Sequence, residues 1–213
     1  DDVTRYVTEV WIYYSDDQGK TWQGSEDKPM NISPLVWVVP NGRFIEQDDG
    51  TLVMSAFGSL SHKDTGIRKD CSIIFRSTDG GKTWGDFSIV MADKGSRPSD
   101  PVEFNRDSAF NETDIQPMPD GTWVAVMRGT WRSSRGTVPG SVSFSKDRGR
   151  TWTKPEYVFM NGVPDLALLP DGGLACATSG NKVHFSYDGG HTWSREIPSH
   201  TIHYPCVYYI AGN

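Results

Sequence analysis

Cysteine is scarce in this chain, and long apolar runs are missing altogether. Three of the 213 residues are cysteine, Cys71, Cys176 and Cys206. An odd, widely spaced set gives neither a full disulfide framework nor a metal-ligand spacing. Buried free thiols are the expectation, with a Cys176–Cys206 pair as the alternative that strand positions allow. No run is long enough to cross a membrane, and no segment carries heptads or a helical apolar stripe. A basic excess is also absent. The formal net charge is −6, which argues against nucleic acid as a partner. The five histidines, His62, His184, His191, His200 and His203, form no metal constellation, so neither metal nor cofactor is expected. The chain starts Asp1-Asp2-Val3 without an apolar leader. A secreted or periplasmic location is expected, and a cytoplasmic one stays open. The sequons Asn31-Ile-Ser33 and Asn111-Glu-Thr113 are triplets that arise often by chance.

What the chain has in quantity is Trp, Gly and Pro, at 8, 22 and 13 residues, a mix that suits short strands and many turns. One pattern, Ser-x-Asp-x-Gly-x-Thr-Trp, occurs four times, at residues 15–22, 77–84, 145–152 and 186–193. Chance cannot keep these positions in register so often, so the chain is an array of one supersecondary unit. Each copy follows an alternating strand: Val10–Tyr14, Ser72–Arg76, Val142–Phe144 and Val183–Phe185. Asp and Ser side chains can bond backbone N–H groups inside a turn, and Gly accepts positive φ. Each copy therefore reads as a hairpin turn whose Trp anchors the returning strand and buries a large surface. A Ca²⁺ loop is the rival reading. Only Asp16, Asp17 and Gly19 approach it, and neither a bidentate Glu nor flanking helices follow.

A second turn interleaves with the first: Asp49-Gly50, Asp120-Gly121 and Asp171-Gly172, each between two apolar runs. Each unit then has four strands, A to D, as a propeller blade does. Residues 1–28 supply a partial blade, 40–93, 111–159 and 163–198 whole blades, and 204–213 the first strand of a further one. Either the chain is part of a larger ring, or its last strand closes with its first two; the former is the preferred expectation.

Function is expected at the end of the blades opposite the repeated turns, near the axis where A strands begin. Glu112 and Arg128 lie symmetrically about the Asp120-Gly121 turn and should be cross-strand neighbours there. The equivalent pairs, Asn41 with Phe57 and Val163 with Ser179, carry no charge. An ordinary surface ion pair is the bland alternative. Tyr204, eight residues before Gly212, should also face the axis, although Tyr opening a strand is commonly just a packed aromatic.

These motifs resemble the sialidase (neuraminidase) superfamily. The eight-residue repeat is similar to its Asp box, and Phe110-Asn-Glu112 through Arg128 looks like its segment with a Glu before an Asp-Gly turn and an Arg on the return strand. His203-Tyr204-Pro-Cys-Val resembles its nucleophile-bearing Tyr segment. The resemblance implies an all-β fold, a β-propeller of four-stranded antiparallel blades with Asp-box turns, here an incomplete six-bladed ring. It implies a retaining exo-glycosidase acting on sialylated glycans. Tyr204 would be the nucleophile, Glu112 its base, and Arg128 the two-pronged ligand of the sugar carboxylate. Arg43 and Asp64 occupy roughly the places of the first Arg and the acid/base Asp, with Asp70 a rival to Asp64. Trp131 and Arg132, with Arg135, could form a sugar platform and anion contact, or an ordinary loop. The chain departs from the family at the third carboxylate-binding Arg, where Ser179-Gly180-Asn181-Lys182 stands. A propeller hydrolase or lyase for another sugar, and a non-catalytic glycan-binding propeller, are the alternatives.

Overall fold

A computed structural model describes residues 8–24, 28–33, 35–60, 69–92, 108–131, 139–158, 162–179, 182–194, 197–198 and 204–210. Every regular element among them is a β-strand. A two-stranded sheet pairs β1 (Tyr13–Tyr14) with β2 (Gln23–Gly24). Three four-stranded antiparallel sheets follow, each strand pairing with the next in sequence. The first comprises β3 (Leu35–Glu46), β4 (Leu52–Leu60), β5 (Lys69–Ser77) and β6 (Gly85–Ala92). The second comprises β7 (Ser108–Pro117), β8 (Trp123–Trp131), β9 (Gly140–Ser145) and β10 (Glu156–Val158). The third comprises β11 (Pro164–Leu168), β12 (Leu174–Thr178), β13 (Lys182–Ser186) and β14 (Ile197–Pro198). The Asp-Gly turns join first strand to second, and the Ser-Asp-Gly-Trp turns join third to fourth.

The sheets stack face to face, and the period of two in each strand decides which residue meets which neighbour. Along β8, Val124 and Val126 pack toward Leu166, Leu174, Cys176 and Trp193 of the third sheet. The alternate residues Trp123, Ala125 and Met127 pack toward Val53, Ile74 and Val90 of the first. The middle strands are covered on both faces, so they read as continuous apolar runs. Each fully buried Val, Leu or Ile contributes about 1.5–3 kcal/mol of transfer free energy.

The repeated turns are internally hydrogen-bonded in the same way. In the second copy, Ser77 Oγ donates to Asp79 Oδ1 at 2.8 Å and accepts from Gly81 N at 2.9 Å. Thr83 N donates to Asp79 Oδ1 at 2.9 Å and Thr83 Oγ1 to Oδ2 at 2.6 Å. The Thr hydroxyl first, then the Thr N–H and the Ser hydroxyl, hold the carboxyls of Asp17 and Asp79 down at about 2. With both oxygens satisfied by the chain itself, the Asp acts as a turn residue and not a metal ligand. Among the described residues no cluster of acidic, His or Cys side chains fits a metal.

Two sequence expectations need correction here. Trp84 and Trp193 are buried and donate Nε1 to Gly81 O and Gly190 O, but Trp22 is 64% exposed. Its turn joins the two-stranded sheet, so among the described residues no first and second strand of the same blade shelter it. Among the described residues, no segment pairs with 204–210. There Cys206 is exposed, whereas Cys71 and Cys176 are buried; all three are free thiols.

Candidate functional site

The innermost strands β3, β7 and β11 meet at a hub. Two of them are interrupted at corresponding places. The β3–β4 ladder shifts register between Pro40 and Phe44, and the β7–β8 ladder between Phe110 and Thr113. Such bulges re-aim side chains. The first delivers Arg43 and the second Glu112.

Arg128 Nη1 donates to Glu112 Oε1 at 3.0 Å, so the cross-strand neighbours expected from hairpin symmetry do meet. The pair is asymmetric. Arg128 is half-buried, while Glu112 is only 7% exposed. Its second oxygen, Oε2, is buried and has no hydrogen-bond partner among the described residues. A buried carboxylate oxygen without a donor is costly and is seldom retained without a use. A hydroxyl proton presented there would find an acceptor whose opposite oxygen is already fixed.

Arg43 sits in a second polar cluster that spans all three inner strands. Its Nη2 donates to Asp114 Oδ2 at 3.1 Å, to Asp165 Oδ1 at 3.2 Å and to the carbonyl of Leu166. Asp114 Oδ2 also accepts from Leu166 N at 2.6 Å, and Asp165 Oδ1 from Val207 N at 3.0 Å. The Tyr208 ring lies 5.9 Å from the Arg43 guanidinium carbon, a cation–π distance. Burial pushes the Asp114 carboxyl up to about 6, with Arg43 and the Leu166 N–H opposing the rise. Asp165 is also raised by burial, against the pull of the Val207 N–H and Arg43.

The Asp114 shift has a measurable consequence. Its folded value exceeds the ordinary 3.8, so between those pH values the folded state binds the extra proton. Its contribution to stability is full below about 4 and is lost as pH rises through about 6. The difference is on the order of 3 kcal/mol, from about 1.4 kcal/mol per unit. Chemical denaturation from pH 4 to 7 should show this fall in the parent and a flatter profile in Asp114→Asn.

The other sequence candidates distribute as follows. Tyr204 is 74% exposed and makes no hydrogen bond to Glu112 or Arg128. Lys182, where a third Arg was expected, opens β13 and is half-buried. Trp131 ends β8, with its side chain outside the described residues. Asp64, Arg132 and Arg135 lie outside them, as does the Asp70 side chain. Sequence reasoning missed Asp114 and Asp165. The one available signal was position, since both lie in inner strands, as Arg43 does.

A family model described as the BNR repeat-like domain matches residues 3–195. A sialidase of Paraclostridium sordellii is 27% identical over 205 residues, covering 87% of this chain and 49% of the relative. A sialidase of Bacteroides fragilis (strain YCH46) is 25% identical over 217 residues, covering 90% of this chain and 34% of the relative. The chain thus spans half or less of the length of these relatives. Among solved structures, the Hadza microbial sialidase Hz136 superposes with a TM-score of 0.61 at 24% identity, covering 92% of this chain and 38% of that one. An alpha-L-arabinanase of Penicillium chrysogenum, complexed with arabinobiose, gives 0.62 at 15% identity, with 92% and 56% covered. These likenesses show the propeller fold.

Proposed function

The chain belongs to the BNR repeat-like domain family, within the sialidase superfamily, and from that premise we propose that it is a propeller exo-glycosidase. Its substrate would be a terminal sialic acid of a glycan, and its mechanism retaining. The observation that carries the reading is Glu112, a buried carboxylate with one oxygen on Arg128 and the other without a donor among the described residues.

In the first step the Tyr204 oxygen attacks the anomeric carbon while its proton passes to Glu112. A phenol titrating near about 10 is a poor nucleophile at neutral pH without such a base. The glycosidic C–O bond breaks, and an acid delivers a proton to the departing oxygen. Asp64 is proposed for that acid on family resemblance alone. In the second step water attacks the anomeric carbon and gives a proton to the now deprotonated acid, while the Tyr204–carbon bond breaks and the phenol recovers its proton from Glu112. A neutral phenol suits a sugar that carries its own carboxylate, because an anionic nucleophile would be repelled. Arg128 would hold that carboxylate, shared with Glu112. Tyr204 makes no hydrogen bond to Glu112 in this structure, so bound substrate would bring them together.

One observation favours a second reading, a propeller hydrolase or lyase for a different sugar. Both described hub guanidiniums already have carboxylate partners, Arg43 with Asp114 and Asp165, and Arg128 with Glu112. With all these groups ionised, acidic side chains outnumber basic ones, which disfavours an anionic sugar. A panel of aryl glycosides with and without a carboxylate separates the readings. Turnover of the aryl sialoside supports the first and turnover of neutral glycosides alone the second. Saturable binding without turnover leaves a glycan-binding module.

A further inference from the structure

We infer that Asp165 is a positioning residue that seats segment 204–210 on the hub, and through it Tyr204. The inference rests on the reading of Tyr204 as nucleophile, but its physical core does not.

The segment has no ladder to place it. Its described side chains are mostly exposed, including Tyr204, Cys206, Tyr208, Tyr209 and Ile210. Among the described residues, three features hold it. Val207 N donates to Asp165 Oδ1 at 3.0 Å. The Tyr208 ring lies 5.9 Å from the Arg43 guanidinium carbon. Pro205 is buried. The first two converge on one ion pair, because Asp165 Oδ1 also accepts from Arg43 Nη2 at 3.2 Å. Asp114 and the Leu166 carbonyl fix Arg43 in turn.

A carboxylate suits this position. One oxygen serves a backbone N–H and a guanidinium together, and its charge strengthens both bonds. An amide would keep an acceptor but lose the charge, and alanine would lose both. Val207 is three residues from Tyr204, so an extended chain keeps the Tyr204 Cα within about 10 Å of the anchor. The anchor thus sets which part of the hub Tyr204 can reach. Asp165 touches no reacting atom in this scheme; it acts through the segment.

The test is amide hydrogen–deuterium exchange across 204–210 in the intact protein, with kcat and KM on whichever aryl glycoside the protein turns over. Asp165→Ala should speed exchange in the peptide containing Val207 about tenfold or more. It should lower kcat more than it raises KM, and Asp165→Asn should fall between it and the parent. Val207→Pro removes the donor without touching the hub, although it also fixes φ at 207, and guards against misfolding of the Asp165 variants. It should release the Tyr208 and Tyr209 amides similarly, and combining it with Asp165→Ala should add little. Unchanged exchange in Asp165→Ala, or unchanged Tyr208 and Tyr209 exchange in Val207→Pro, overturns the inference. Faster exchange in a protein inert on every glycoside upholds the anchor and refutes the glycosidase reading instead.

Discussion

Glu112→Gln is expected to lower kcat about a thousandfold while the protein stays folded. Proton transfer by a positioned side chain is worth about 10²–10⁴ in rate, and the amide cannot take a proton from a phenol. Shape and one bond survive the change, since the Gln carbonyl can still accept from Arg128 Nη1, as Glu112 Oε1 does at 3.0 Å. The new NH₂ would point into the place of Oε2, which has no partner among the described residues. The parent already leaves that oxygen unpaired, so the loss of stability comes from replacing a charge-assisted bond to Arg128 with a neutral one, about 1 kcal/mol. Paired thermal melts and steady-state kinetics separate the two effects. If Glu112 only steadied Arg128, the melting temperature would move and kcat at a temperature well below it would not.

Gly42→Ala is expected to cost about 2–5 kcal/mol and to disturb the Arg43 cluster with it. Gly42 lies in the β3 bulge at φ 83°, where a side chain costs about 1–2 kcal/mol. A Cβ there would come within 2.6 Å of Ser55 Oγ and 2.9 Å of Asp114 Oδ1. Those atoms are fixed. Ser55 Oγ donates to the Asn41 carbonyl, and the other Asp114 oxygen is bound by Arg43 and Leu166 N. Overpacking at such a site adds about 1–3 kcal/mol. Denaturant midpoints give the stability loss. A change in the pH profile attributed above to Asp114 would show that the carboxylate had moved. A variant as stable as the parent would mean that β3 and β7 approach less closely than described.

The fold was legible because its signals are local. Asp17 and Asp79 bond residues four positions on, and the period of two along a strand separates its two faces without knowledge of the neighbour. Glu112 and Arg128 were legible for the same reason, since a hairpin's symmetry pairs them. The Arg43 cluster was not. Its partners lie 71 and 122 residues away, and nothing in strand periodicity says which inner strands touch or where a bulge turns a side chain. The bulges themselves leave a weak trace, Asn41-Gly42 in β3 and Asn111 in β7. Trp22 misled because its local sequence matches the repeat, but burial depends on strands that must come from elsewhere in a sheet.

The most direct test is to trap the reaction partway. The protein would be incubated with a fluorinated glycosyl fluoride of whichever sugar it turns over, then digested and mapped by mass spectrometry. The expected result is a single glycosyl adduct on Tyr204, formed by the parent and strongly suppressed in Glu112→Gln. An adduct on a residue remote from the hub, or rapid turnover with Tyr204 never modified, would contradict the assignment of nucleophile and base.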